Sequence, residues 1–411
     1  MYKLLATSAL VAAGVWGAMD TASAQQAKPG YPWASTPISV VVGGYHSQVF
    51  GYSTNKDNVV SGGNIGTFAN ARPNTTSQQS DSEIWFGGRT TLANGISIGF
   101  DVQLEANTSA DVIDESYLFI DGAFGRVVLG SENSADYIMN YSAPNVSAAA
   151  THGFGNQESS LPNWVQRPNN VVILDTTASG KGAGGAASGV AALPTGGNDQ
   201  QRVTYYTPRF SGFQLGASFT PNVTASTANG LAGASYEDLM GPVNRALSRT
   251  NAWSGSVNYV NTFGGIVVNA SAGFTQYPAL TGATTAPNKN AIMDSSYGLQ
   301  IGYGEFLVGG GYRKLDAEGA VEDGTAWGAG ITWTSGPVSL GVNYMESKVE
   351  GTVATAGQDK FKQGMLVGSY NLGPGIDLIG AIFQLKYQDE TSAAANNNSG
   401  GGAAAGIVLR F

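Results

Sequence analysis

Ile96-Ser97-Ile98-Gly99-Phe100-Asp101-Val102-Gln103-Leu104-Glu105 alternates without a break. Even positions are apolar, and odd positions are small or polar. A period of two over a run this long describes a β-strand whose two faces meet different solvents. Asp101, Gln103 and Glu105 share the wet face with Ser97 and Gly99. The same alternation recurs from Phe213 to Phe219 and from Val338 to Tyr344. Tyr297, Leu299, Ile301 and Tyr303 alternate with small polar residues, as do Trp327, Ala329, Ile331 and Trp333. In several runs the apolar face carries Tyr or Trp near its ends, which is how aromatic girdles at two membrane interfaces look in sequence.

Sixteen such runs are expected between residues 37 and 411, joined antiparallel. Tight-turn sequences stand at Ala93-Asn94-Gly95, Gly122-Ala123-Phe124, Phe210-Ser211, Phe263-Gly264, Gly304, Ser335-Gly336-Pro337 and Gly373-Pro374-Gly375. Their Gly, Asn and Pro chemistry suits hairpins. Between them lie longer connections at about 52–80, 107–111, 132–200, 221–250, 278–294, 316–324, 349–360 and 389–401. Short and long alternate throughout. A barrel crossing a membrane has short turns on one side and long loops on the other. The fold class is therefore all-β: a sixteen-stranded antiparallel transmembrane barrel.

The connection 132–200 is the longest, and loops of that size are usually functional. Its first part, Glu132 to Val172, holds Tyr137, Tyr141, Phe154 and Trp164, which can pack and narrow the lumen. Its second part, Ala178 to Asn198, is rich in Ala, Gly and Ser and is expected to form an exposed extension.

Lys3, the apolar stretch Leu4 to Ala18 and Ala22-Ser23-Ala24 read as a signal peptide over residues 1–24, leaving 25–411 as one barrel. No other stretch approaches the roughly 20 apolar residues of a spanning helix. In hydrocarbon every backbone N–H and C=O needs a partner, so a membrane-inserted form of this chain must be a closed sheet. Mean hydropathy is near zero at -0.07, as alternation of lipid-facing and lumen-facing residues produces. With no cysteine, disulfides and thiolate metal sites drop out. A net charge of -9 argues against a nucleic-acid partner.

Little else carries chemistry. His46 and His152 are the two histidines, too few for an ordinary histidine metal site. Neither has a nucleophile motif beside it. An outer-membrane lipase would need a lipid-facing Ser–His pair, and His46 on the first strand gives that reading its one foothold. Gly182-Ala183-Gly184-Gly185 lacks the Lys-Ser/Thr of a phosphate loop. Glu322-Asp323-Gly324 lacks calcium-hand spacing and reads as a hairpin turn. Asn145-Val146-Ser147 matches a glycosylation acceptor by chance. No catalytic residue, cofactor or metal is expected. The competing class is a secreted or surface structural, adhesive β protein. Such proteins tend toward repeats, and no fixed period is present here.

Two hairpins carry a resemblance. Asp114-Glu115-Ser116-Tyr117-Leu118-Phe119-Ile120-Asp121-Gly122-Ala123-Phe124-Gly125-Arg126-Val127-Val128-Leu129-Gly130 resembles the strand-turn-strand before the constriction loop of Gram-negative general porins. Arg202-Val203-Thr204-Tyr205-Tyr206-Thr207-Pro208-Arg209-Phe210-Ser211-Gly212-Phe213-Gln214-Leu215-Gly216-Ala217-Ser218 resembles the hairpin after it, especially in alphaproteobacterial porins. Phe411, with Leu409 and Ile407 on its face, is similar to the signal read by outer-membrane barrel assembly machinery.

The resemblance implies a homotrimer of water-filled pores in the outer membrane, in contact with lipid and lipopolysaccharide, passing small hydrophilic solutes by diffusion. It implies a long constriction loop folded into the lumen, with acidic side chains facing basic ones on the wall. The acidic candidates are Glu132, Asp136, Glu158 and Asp175. Inward parity selects Arg89, Arg126, Arg202 and Arg313 as the basic candidates. Asp101 and Glu105 share that wall and make it less basic than a typical eyelet. The insertion 178–198 departs from the family pattern. An acidic chain with these wall residues predicts mild cation preference. Selectivity near neutral is expected instead if external loops hold most acids and bind divalent cations with lipopolysaccharide.

Overall fold

Every one of the sixteen alternating runs forms a strand in the computed structural model, and each pairs antiparallel with its neighbour. The structure describes residues 38–56, 74–106, 113–146, 164–168, 171–174, 182–183, 200–223, 249–279, 291–317, 323–350, 356–390 and 397–411. The signal-peptide segment 1–24, Phe154, Glu158 and Asp175 lie outside them.

The barrel strands are β1 (Ser39–Ser53), β2 (Thr76–Thr91), β3 (Ser97–Glu105), β4 (Ile113–Gly122), β5 (Gly125–Glu132), β6 (Gln200–Tyr206), β7 (Phe213–Val223) and β8 (Arg249–Phe263). They continue with β9 (Ile266–Tyr277), β10 (Ile292–Tyr303), β11 (Phe306–Ala317), β12 (Gly324–Ser335), β13 (Val338–Glu350), β14 (Gln358–Gly373), β15 (Ile376–Gln388) and β16 (Asn398–Arg410). The sheet closes where β1 pairs with β16, from Tyr45 against Arg410 to Ser53 against Gly402. Closure satisfies the backbone of the edge strands, which no open sheet could do in lipid. Among the described residues no helix is long and apolar enough to cross a membrane.

Alternation sorts the side chains. Leu299, Val342 and Ile382 point outward and are 47%, 53% and 62% exposed. Large apolar side chains exposed all round a protein mark a lipid-facing surface. Tyr52, Trp253, Tyr303 and Tyr370 stand on the same outer surface. At the tight-turn end, Gly264 and Gly265 both have positive φ, 55° and 87°, the geometry a two-residue hairpin demands.

Some boundaries differ from the sequence expectation. β2 starts at Thr76, β14 at Gln358 and β16 at Asn398, all earlier than alternation indicates. Residues such as Gln78, Gln79 and Ser80 are polar on both faces, so the period vanishes while ladder pairing continues. β6 stops at Tyr206 rather than 209, because Pro208 has no N–H to give the ladder. In the stretch expected to extend outward, Gly182–Ala183 instead pairs with Ile173–Leu174. Backbone pairing of this kind leaves no side-chain signature.

Candidate functional site

Inside the barrel the chain leaves β5 and enters a short helix, α1 (Ala135–Met139), with Ser134 as its cap. The wall holds this segment strand by strand. Ala135 N donates to Ser218 Oγ on β7 at 2.8 Å, and Asp136 N to Ser254 Oγ on β8 at 3.1 Å. Tyr141 N donates to Ser271 Oγ on β9 at 2.8 Å. Gln300 Nε2 on β10 donates to Ser142 O at 2.8 Å, and Asn343 Nδ2 on β13 to Asn145 Oδ1 at 3.2 Å. Inward-facing glycines make room. A Cβ at Gly298 would overlap the Tyr141 carbonyl, and one at Gly273 would overlap the Asp136 carboxylate.

Further along, Trp164–Gln166 reaches the β1–β16 seam. Ser53 Oγ donates to Trp164 O, and Asn398 Nδ2 to Gln166 O at 2.6 Å. The chain then returns to β13 and β14, where Leu174 N donates to Ser347 Oγ at 2.9 Å and Val172 N to Asp359 Oδ2 at 2.7 Å. Trp164, Val165, Val171, Val172, Ile173 and Leu174 are all buried here, against inward side chains of β14 to β16 such as Phe361, Phe383 and Val408. This part of the inner wall is apolar because protein covers it. The sequence expectation that inward faces are wet fails on β15, whose Ile379, Ala381, Phe383 and Leu385 face inward and are buried.

The described loop residues begin against Phe119, Val128 and Tyr206 on β4 to β6, where Ala135 and Met139 pack, and continue from β7 round to β1. Ionisable side chains collect on the facing wall, β2 to β5. Tyr45 OH donates to Asp81 Oδ2 and Glu83 Oε1, both at 3.0 Å. Trp85 Nε1 donates to the other Glu83 oxygen at 2.7 Å, and Gln103 Nε2 to Glu115 Oε2 at 2.7 Å. A register shift at Gln103/Leu104 leaves Asp114 as an extra residue on β4. A bulge of this kind re-aims a side chain. Here it brings the Asp114 carboxylate within 4.8 Å of those of Glu83 and Glu105. Toward the tight-turn end, Asp121 lies 3.9 Å from Arg89 and 3.7 Å from Arg126, and Arg126 covers the Phe119 ring at 4.5 Å. The wall is thus graded: carboxylates gather toward the long-loop ends of the strands and arginines toward the tight turns.

A sequence profile described as Gram-negative porin matches residues 6–391. The chain belongs to the Gram-negative porin family. No curated protein matches it by sequence. Solved structures share the porin fold at low identity. An anion-selective porin from Comamonas acidovorans superposes with a TM-score of 0.56 at 18% identity, over 91% of this chain and 100% of that one. The outer membrane channel DcaP of Acinetobacter baumannii gives 0.56 at 12%, over 91% and 97%. OmpT of Vibrio cholerae, in a trimer form, gives 0.51 at 13%, over 90% and 99%.

The porin places the sequence candidates unequally. Asp101, Glu105, Arg89 and Arg126 share the inner wall of β2 to β5. Glu132 and Arg202 point inward but are 8% and 3% exposed. Two candidates are corrected. Asp136 is 1% exposed and accepts from Ser296 Oγ at 2.6 Å, so it fastens the loop to β10 instead of facing the lumen. Arg313 is inward by parity yet sealed under the loop, paired to Asp294 at 2.6 Å. Parity reports the face of a strand, and a loop lying on that face removes it from water. Glu158 and Asp175 lie outside the described residues. Sequence reasoning missed Asp81, Glu83, Asp114, Glu115 and Asp121. The parity test that selected Arg89 also selects Asp81 and Glu83, while the bulge hides Asp114 from any period.

On the outer surface of the porin, His46 Nδ1 lies 2.6 Å from Ser82 Oγ. That is one contact of a catalytic triad. Among the described residues no hydrogen bond orients the other imidazole nitrogen. Gln48 on the same face donates to Gln79 O at 3.0 Å, extending a polar patch across β1 and β2.

Proposed function

We propose that this porin is a passive diffusion channel of the outer membrane whose lumen favours cations. A barrel of sixteen strands is wide enough to leave an aqueous passage beside its inner loop. The observation that carries the cation preference is the composition of the wall opposite the loop. Asp81, Glu83, Asp101, Glu105, Asp114 and Asp121 outnumber Arg89 and Arg126 there. Rings of fixed charge bias which ions enter a pore. The bias fades when the screening length, about 10 Å at 0.1 M salt, falls to about 3 Å at 1 M. The likeness to an anion-selective porin does not argue against this, since 18% identity carries the fold and not the wall charges.

The porin works as a homotrimer in this reading. OmpT in its trimer form supports this, and so does the outer polar patch of His46, Gln48 and Ser82. Ionisable and amide groups are costly against lipid, and a neighbouring copy covering β1 and β2 removes that cost. Residues 1–24 direct export, Phe411 serves barrel assembly, and lipid with lipopolysaccharide surrounds the outer face. No catalytic step is assigned to the channel.

Reversal potentials test the reading. In a tenfold KCl gradient the protein gives a cation-sign potential that grows as total salt falls, and E83Q/D101N/E105Q moves it toward zero. A wild-type potential of anion sign refutes the cation preference.

A further inference from the structure

Trp85 is an indole on the water side of a membrane barrel. It takes an inward position on β2, between Glu83 and Arg89, and is partly exposed. Little covers it from the sides. Its pairing partner on β1 is Gly43, and the next inward residue on β2 is Gly87, so neither brings a side chain. Tyr45 stands edge-on to it, with ring centroids 6.0 Å apart and planes at 60°. The two rings form a corner, and Glu83 joins them. Its Oε2 accepts from Trp85 Nε1 at 2.7 Å and its Oε1 from Tyr45 OH at 3.0 Å.

The charge at this corner lacks a protein counter-ion. Among the described residues neither Glu83 nor Asp101 forms an ion pair with Lys, Arg or His. Asp101 lies on β3 opposite Gly87. Gln103 hydrogen-bonds its carboxylate, and its buried Oδ1 has no hydrogen-bond partner. A buried carboxylate oxygen without a partner is costly. The nearby Arg126 is engaged with Asp121 instead.

An indole N–H donated to a carboxylate pushes electron density into the ring and makes its face more negative. A cation over an aromatic face is drawn to the ring quadrupole, and Trp is the strongest such partner. Small inorganic cations keep their water shells in a wide pore. An alkylated ammonium is weakly hydrated and has apolar surface to lay on the ring. We propose that Trp85, backed by Glu83 and Asp101, is a binding step for alkylated ammonium ions crossing the lumen. This rests on the reading of the lumen as an open, cation-favouring passage, and adds a solute class to it. The carboxylates concentrate any cation, and the ring selects those with an organic shell.

Planar-bilayer recording of the full chain in KCl, with choline chloride added, tests the site. The control is the neutral isostere of choline in which carbon replaces the quaternary nitrogen. Choline is expected to reduce the potassium current in a saturable way, and the isostere to leave it unchanged. W85A raises the half-blocking concentration about fivefold or more. E83Q raises it too, and W85F, which keeps a ring, falls between W85A and the wild type. Heat-modifiable gel mobility confirms that each barrel is folded, and W85F carries the comparison if W85A does not fold. Equal half-blocking concentrations in the wild type and every folded Trp85 variant overturn the site, as does equal block by choline and its isostere. The reversal potential of the same wild-type channel in a KCl gradient separates the two readings. Cation sign without choline block overturns the site alone, whereas anion sign with Trp85-dependent block overturns the cation preference alone.

Discussion

Arg313 grips Asp294 with two hydrogen bonds, Nε to Oδ1 at 2.9 Å and Nη2 to Oδ2 at 2.6 Å, and both side chains are sealed, 1% and 0% exposed. The pair lies beneath the inner loop on β10 and β11. Removing one partner leaves the other charge buried alone, which costs about 3–5 kcal/mol. R313A is expected to lose about that much stability in urea unfolding of detergent-folded barrels. The volume-matched R313M/D294L loses far less. Since Arg313 does not face the lumen water, R313A keeps the wild-type reversal potential.

The loop has no clearance over Gly298, because any Cβ there overlaps the Tyr141 carbonyl oxygen. Gly311 has more room but is still close, with Ser142 Oγ 2.7 Å from its ideal Cβ position. G298V is expected to displace the constriction segment without opening the barrel. Single-channel conductance changes, and protease cleaves the segment faster, while heat-modifiable mobility stays. Unchanged conductance contradicts the loop path described above.

The outer patch on β1 and β2 gives a clean cross-linking test, because the chain has no cysteine of its own. Q48C is expected to cross-link between copies with a short bifunctional maleimide. L366C, on the lipid-facing side of β14 and 49% exposed, is not. Identical behaviour of the two variants removes β1 and β2 from the subunit interface.

Glu305 sits in the turn between β10 and β11 and accepts from Ser335 Oγ at 2.6 Å and Trp333 Nε1 at 2.9 Å. These two donors hold its carboxyl below the usual glutamate range. A lowered value means that the interaction is complete above the unfolded-state value and is lost as pH falls through the folded one. Trp333 emission is therefore expected to change on acidification below the ordinary glutamate range, and E305Q abolishes that step. A step that persists in E305Q assigns it to another group.

Most of the barrel was legible because lipid outside and water inside impose opposite demands on alternate residues. Ile96 to Glu105 shows this plainly. Legibility stops where that contrast stops. Ile379, Phe383 and Leu385 face inward yet are apolar, since the inner loop covers them. Gln78 to Ser80 are polar on both faces and lose the period although they pair. The lumen site was half visible. Parity gave the inward face of Asp101, Glu105, Arg89 and Arg126, but could not see the bulge that turns Asp114 inward or the loop that hides Arg313. Which inward residues meet water depends on contacts between segments more than a hundred residues apart, such as Tyr141 with Ser271.

Planar-bilayer recording of the purified protein tests the channel most directly. Stepwise, ohmic conductance increments with a reversal potential of cation sign are predicted. A protein that inserts yet passes no ions, or one whose potential has anion sign, contradicts a water-filled barrel with an acidic wall.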